Sequence, residues 1–291
     1  MKRFSIVALL LLLLVSGCSR SVDDLIKDLY SDQSHVRFSA AGQLMRKISD
    51  RETVEKLIEL LDEEDDQVVF IATQVLGSLA DTLAVEPLAK LIHHKNVAIR
   101  SRACWSLGGI SHETAFEPLV DALDDPESHV RYAAVVALGH LHHPPAVKKI
   151  FEMVRDVEDS VRVRAIQSLY YYRLEDEVDI ISADFAPLLV DKSERVRYVA
   201  VQALGGAWED ARGWVYSDST VAGELLIEAL NDDNKHVRIE AISSLKKIKY
   251  AAAVEPLKQM YDLASVDEEV AISEAVKAIT GETFPPGIAT E

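Results

Sequence analysis

The sequence predicts an all-α fold, an α-solenoid of about eight two-helix repeats. Three observations predict it. A Val or Ile, usually followed by Arg, recurs as Val36, Val68, Ile99, Val130, Val161, Val196, Val237 and Val270, at spacings of 32, 31, 31, 31, 35, 41 and 33 residues. Four residues after each anchor the first seven units carry Ala (Ala40, Ala72, Ala103, Ala134, Ala165, Ala200, Ala241). Eight residues after it they carry Leu (Leu44, Leu76, Leu107, Leu138, Leu169, Leu204, Leu245). A period of 20 to 50 residues marks units that bury their apolar faces only against their neighbours.

Positions 0, +4 and +8 share one helical face, and an Ala between two larger residues lets a neighbouring helix come close, so this stretch is the second helix of each unit. Eleven and seven residues before the anchors lie Leu25/Leu29, Leu57/Leu61, Leu88/Ile92, Leu119/Leu123, Ile150/Val154, Phe185/Leu189 and Leu226/Leu230. Apolar pairs at i, i+4 define an amphipathic first helix. Pro87, Pro118, Pro187 and Pro256 sit where a first-turn proline loses no hydrogen bond. Gly77, Gly108, Gly139 and Gly205 fall near the end of the second helix, where they are expected to act as caps.

With an Asp in the turn and then Val-Arg, Ala and Leu-Gly, the motif resembles the HEAT-like repeats of phycobilin lyase subunits. Asp125-Pro126-Glu127-Ser128-His129-Val130-Arg131 matches them closely, and the resemblance runs over residues 22–283. It implies a superhelix whose second helices line a concave side. The eighth unit departs, with Ala271 after Val270 and Ala278 where Leu is expected, which suits a terminal cap.

Lys2 and Arg3 precede ten apolar residues, Ile6 to Val15, and then Ser16, Gly17 and Cys18. This is a signal-peptide pattern, too short to span a bilayer as a helix. Val15-Ser16-Gly17-Cys18 resembles a bacterial lipobox, which implies removal of residues 1–17 and a diacylglycerol on the Cys18 sulfur. The alternative is an ordinary secretory peptide with an incidental cysteine. Residues 18–21 would form the lipidated N-terminus and 284–291 a C-terminal tail. Ser19 follows the cysteine, and the absence of Asp there leans towards the outer rather than the inner membrane of a bacterial envelope.

The 291 residues carry 31 Lys and Arg against 48 Asp and Glu, a formal charge of −17. That opposes nucleic-acid binding, which requires a basic face. Without Lys2 and Arg3, 29 basic residues face 48 acidic ones and the imbalance grows. Cys104 would be the one cysteine left beyond Cys18, which allows no intramolecular disulfide and reads as an inert buried thiol. The acidic run Asp62–Asp66 lacks the spaced oxygens and central Gly of a calcium loop, so it reads as a solvated turn.

No catalytic motif is present: the sequence holds no G-x-S-x-G, Walker loop, H-E-x-x-H or dinucleotide fingerprint. Deoxyhypusine hydroxylase, a HEAT-like di-iron enzyme, is similar in architecture but needs several His-Glu pairs, and His112-Glu113 is the one pair here. No catalytic residue, cofactor or metal is therefore assigned. His112 and His143 lie 31 residues apart in successive units, too few ligands for a metal site on their own.

Binding is the more promising reading. Positions +2, +3, +6 and +10 should face away from the packed side, yet +2 reads Phe38, Phe70, Ser101, Tyr132, Val163, Tyr198, Ile239 and Ile272, with Trp105 at +6 and His140 and Tyr171 at +10. Either this column is core between units or it is a groove for a protein or peptide partner, with Phe70, Trp105, Tyr132, His140, Tyr171 and Tyr198 as contacts. The insertion before the seventh unit holds Trp208, Trp214 and Tyr216, which either pack on the solenoid rim or recognise the partner. Two functions follow. The first is a non-enzymatic, lipid-anchored scaffold or adaptor in the bacterial cell envelope. The alternative is an accessory or lyase-like factor that handles a cofactor with Tyr132, His140, Tyr171 and Tyr198.

Overall fold

The computed structural model describes residues 20–46, 50–169, 182–206 and 219–285. Cys18, Tyr171, Trp208, Trp214 and Tyr216 lie outside the described residues. The chain divides into two compact units, Met1–Ala115 and Phe116–Glu291. No strand occurs among the described residues, and no described helix is long and apolar enough to cross a membrane.

The first unit contains α1 (Val22–Leu29), α2 (Ser34–Leu44), α3 (Arg51–Glu59), α4 (Asp66–Leu79), α5 (Val85–Lys90) and α6 (Val97–Ile110). The second contains α7 (Phe116–Asp121), α8 (Ser128–Leu141), α9 (Ala146–Glu152), α10 (Asp159–Leu169), a 3-10 helix (Ser182–Val190), α11 (Glu194–Leu204), α12 (Ser219–Glu228), α13 (Lys235–Ile248), α14 (Val254–Tyr261) and α15 (Val266–Thr280). Several first helices tighten into a 3-10 turn at their ends, as at Leu60–Asp62 and Ala229–Asn231, which satisfies carbonyls that have no i+4 donor. Three second helices, α4, α6 and α13, start on a capping side chain three residues before the anchor, Asp65, Asn96 and Asn234. The oxygens of Asp65 and Asn234 accept from the N–H groups of Gln67 and His236.

The core is the one the periodicity predicts. Ile99, Ala103 and Leu107, like Val68, Ala72 and Leu76, have no exposed surface, and within each unit second helices pack on one another: α4 on α6 in the first, and α8 on α10, α10 on α11, α11 on α13 and α13 on α15 in the second. The eighth unit has a different register from the expected one. Val270 is exposed, whereas Glu268, Ile272 and Val276 are buried. The unit therefore starts at Glu268, 31 residues after Val237, with a capping box between Ser265 and Glu268. A carboxylate in the place of the apolar anchor concealed this register from the sequence pattern.

Of the glycines at +9, Gly77, Gly108 and Gly139 are not caps, whereas Gly205 is one. The second helices run three residues further and end on left-handed Ala80, Ser111, His142 and Lys249, with φ between 52° and 55°. Gly77 and Gly139 instead lie inside α4 and α8, and Gly205, which does end α11, has φ −80°. What these glycines share is a serine at +7 of the following helix. A Cβ on Gly77 would sit 2.5 Å from Ser106 Oγ and 2.7 Å from its Cα, and one on Gly205 would overlap Ser244. Ser106 Oγ donates to Thr73 O at 2.8 Å and Ser244 Oγ to Val201 O at 3.3 Å, so a small residue and a short hydroxyl bring successive helices together.

The arginines after the anchors and the acids five residues before them form a relay between repeats. Each of Arg131, Arg162, Arg197 and Arg238 donates from Nη1 to a backbone carbonyl of its own turn, as Arg131 does to Asp125 O at 2.9 Å. The rest of the guanidinium reaches the next repeat: Arg131 to Asp156 at 2.7 and 2.8 Å, Arg162 to Asp191 at 2.8 Å, Arg197 to Asp232 at 2.6 and 2.9 Å. Arg238, at the last step, reaches Glu268 at 2.7 Å. Each Asp also accepts an N–H two residues on, as Asp156 does from Glu158 at 2.8 Å. These groups are nearly sealed, with Arg131 and Asp156 side chains 11% and 5% exposed, so the relay is part of the scaffold.

Candidate functional site

In the second unit, the faces of α10, α11 and α13 leave a groove of about 330 Å³. Val163, Val199 and Val237 form its floor, Tyr198 a wall, and Gln167, Glu194, Arg195, Asn234 and His236 its polar rim. Glu194, Arg195 and Asn234 also border a polar depression completed by Asp159, Lys192, Ser193, Arg197 and Asp233. An apolar floor with convergent polar groups is the usual form of a binding cleft. His236, exposed at the start of α13, is part of that rim.

The aromatic column splits into three situations. Val163 and Ile272 are buried core, the latter through the corrected register. Phe38 is 65% exposed and Trp105 40% exposed. Phe70, Tyr132 and Tyr198 are half-buried, each met by the +3 residue of the following repeat or, for Tyr198, of the next second helix. The Arg102 guanidinium lies 4.7 Å over the Phe70 ring and that of Arg164 4.9 Å over Tyr132. Arg164 Nε and Nη2 both donate to the Tyr132 hydroxyl. Tyr198 Oη donates to Glu240 Oε2 at 3.0 Å and accepts from Gln202 Nε2 at 3.3 Å. Burial, followed by the Glu240 charge, raises the Tyr198 pKa, so the phenol stays protonated as that donor.

His140 is exposed at the end of α8. Burial of part of the ring, then the charges of His142 and Arg164, push its pKa below the ordinary value, which keeps the imidazole neutral at pH 7. His143 packs on the Phe116 ring with centroids 4.8 Å apart, and His112 Nδ1 is 2.9 Å from Thr114 Oγ1. Among the described residues no cluster of three metal-ligating side chains forms. Cys104 is a fully buried thiol outside any disulfide.

Arg102 was not singled out by the sequence pattern, although its position +3 was expected to face outward. Its Nε is buried without an acceptor, an arrangement that costs about 1–3 kcal/mol for an ordinary donor. Burial lowers its pKa, with no acid opposing the shift.

HEAT repeats match residues 85–170 and 182–279. This chain belongs to the HEAT-repeat family. Comparison with curated proteins gives no match. Among solved structures the chain is similar to the Escherichia coli protein YibA (20% identity, TM-score 0.63, covering 92% of this chain and 96% of that one). It is also similar to an engineered protein (20%, 0.50, 89% and 78%) and to the CpcE–CpcF complex of phycocyanin lyase from Nostoc (20%, 0.47, 91% and 96%). At this identity the likeness to YibA speaks for the fold alone. HEAT-repeat architecture hosts unrelated functions, so function has to come from the grooves and faces of this chain.

Proposed function

We propose that this protein is a non-enzymatic HEAT-repeat scaffold, held at a membrane of the bacterial cell envelope by lipid on Cys18, that docks a protein or peptide partner on its second-helix face. The groove over Val163, Val199 and Val237 carries the reading: its apolar floor is bordered by donors and acceptors of both charge signs, which suits an extended peptide better than one small ion. Its polar border continues past Asn234 into the neighbouring depression, so a chain of several residues has a path to follow. The insertion residues Trp208, Trp214 and Tyr216, between α11 and α12 in sequence, belong to the same proposal as recognition side chains.

Tethering confines the scaffold near one surface and raises its effective concentration towards partners there. Each acyl methylene contributes about 0.8 kcal/mol to membrane burial, so several chains on Cys18 hold the protein without a spanning helix. Ser19 after the cysteine supports the outer membrane as its address. In cells, the wild-type protein is expected in the membrane fraction with the mass of an acylated Cys18 N-terminus, and Cys18→Ser in the soluble exported fraction. Equal membrane association of the two proteins would contradict the anchor.

A further inference from the structure

Among the described second helices, the arginines at +1 (Arg37, Arg100, Arg131, Arg162, Arg197, Arg238) are all tied to backbone carbonyls of their own turns. Arg102 is different. Among the described residues it forms neither an ion pair nor a hydrogen bond, and it rests on the Phe70 ring with Nε sealed off. Arg164 shows what a scaffold version of this contact is like: it lies over Tyr132 and spends Nε and Nη2 on the phenol oxygen. Phe70 has no hydroxyl to offer, so the outer edge of the Arg102 guanidinium keeps its donors.

Two aromatic side chains on second helices of the same unit are exposed. Trp105, one turn further along α6, is 40% exposed, and Phe38, which holds on α2 the repeat position that Phe70 holds on α4, is 65% exposed. Among the described residues, the second helices of the N-terminal unit thus carry a cation without a hydrogen-bond partner, Arg102, on the same helix as the exposed Trp105.

We propose that this face binds an acidic peptide segment, one carboxylate pairing with the Nη atoms of Arg102 and neighbouring apolar side chains lying on Trp105 and Phe38. Charge complementarity selects the occupant. A planar guanidinium already stacked on a ring is pre-organised for two parallel bonds to a carboxylate, and one such cation with flanking aromatics fits a carboxylate in an apolar sequence better than a polyanion. The net charge of −17 argues for basic partners at long range. Screening limits that field to about 8 Å at physiological salt, and inside that distance the local cation governs. This face is separate from the groove in the second unit, so the inference stands or falls without it.

The test uses full-length protein in detergent and a fluorescein-labelled octapeptide of alternating Leu and Glu, with its Leu–Gln counterpart, read by polarisation. The Leu–Glu peptide is expected to bind at least about tenfold more tightly than the Leu–Gln peptide, a difference of about 1.4 kcal/mol. Arg102→Gln should remove that preference while leaving the melting temperature in place, and Arg164→Gln should leave the preference intact. Trp105→Ala, at an exposed position, should weaken the Leu–Glu peptide without touching the cation. Equal binding of the two peptides, absence of binding by both, or an Arg102→Gln variant that keeps the preference would overturn the proposal.

Discussion

Replacing Arg131 by Met is expected to destabilise the second unit by about 3–5 kcal/mol, the usual cost of leaving one member of a buried ion pair alone. The change strands Asp156, whose side chain is 5% exposed and receives two bonds from Arg131, and it also removes the donor to Asp125 O. Urea unfolding measures the loss. Arg131→Met combined with Asp156→Leu should recover a good part of it, because two apolar groups need no partners, although the Glu158 N–H then loses its acceptor. The pair has a pH signature as well. Burial pushes the Asp156 carboxyl up, but bonds from Arg131 and the Glu158 N–H, with the charges of Arg131 and Arg162, outweigh it and hold the pKa below the ordinary 3.8. Because the folded value lies below the unfolded one, this stabilisation is fully present above about pH 4 and is lost as the pH falls through the folded value. In Arg131→Met that part of the acid dependence should flatten. A variant as stable as the wild type would show that the relay between repeats carries no stability.

Gly77→Ala is expected to cost about 1–3 kcal/mol despite placing a better helix former inside α4. Its Cβ would meet Ser106 Oγ, Cβ and Cα at 2.5, 2.6 and 2.7 Å, and the last of these cannot move without shifting α6. Gly139→Ala provides the control. There the nearest atom, Ser168 Cβ, is 3.0 Å away and the Cα 3.6 Å, so small adjustments suffice and the gain in helix propensity offsets most of the strain. Thermal unfolding of the two variants should therefore differ by several degrees in favour of Gly139→Ala. Equal melting temperatures would mean that the +9 glycines are not there for close approach.

The glycine result shows where sequence reasoning reached and where it stopped. Ala at +4 and Leu at +8 declared the packed face, because a helix buries every fourth residue wherever it contacts a neighbour, and Ala103 and Leu107 are fully buried as expected. Gly near a helix end normally signals a cap, and that local rule failed at Gly77 because the reason for the glycine is Ser106, 29 residues away. The aromatic column was legible as a column but not as separate contacts: Val163 is core, Phe38 faces solvent, and Phe70 and Tyr132 differ only by a hydroxyl that decides whether the overlying arginine is engaged. Arg102 and the floor residue Val199 sit at +3, where charged and apolar residues alternate irregularly among repeats and no period points to them. Glu268 hid the last register for a related reason, since a buried carboxylate replaces the apolar residue on which the alignment depends.

The claim that the second-helix face is the docking face can be tested by photo-crosslinking in native membranes, with the reactive residue placed at Gln167 in the groove or at Glu86 on the exposed side of a first helix. The account predicts a discrete protein adduct from position 167 that is missing from position 86 and diminished when Cys18→Ser releases the scaffold from the membrane. No adduct from position 167, or the same adducts from both positions, would contradict it.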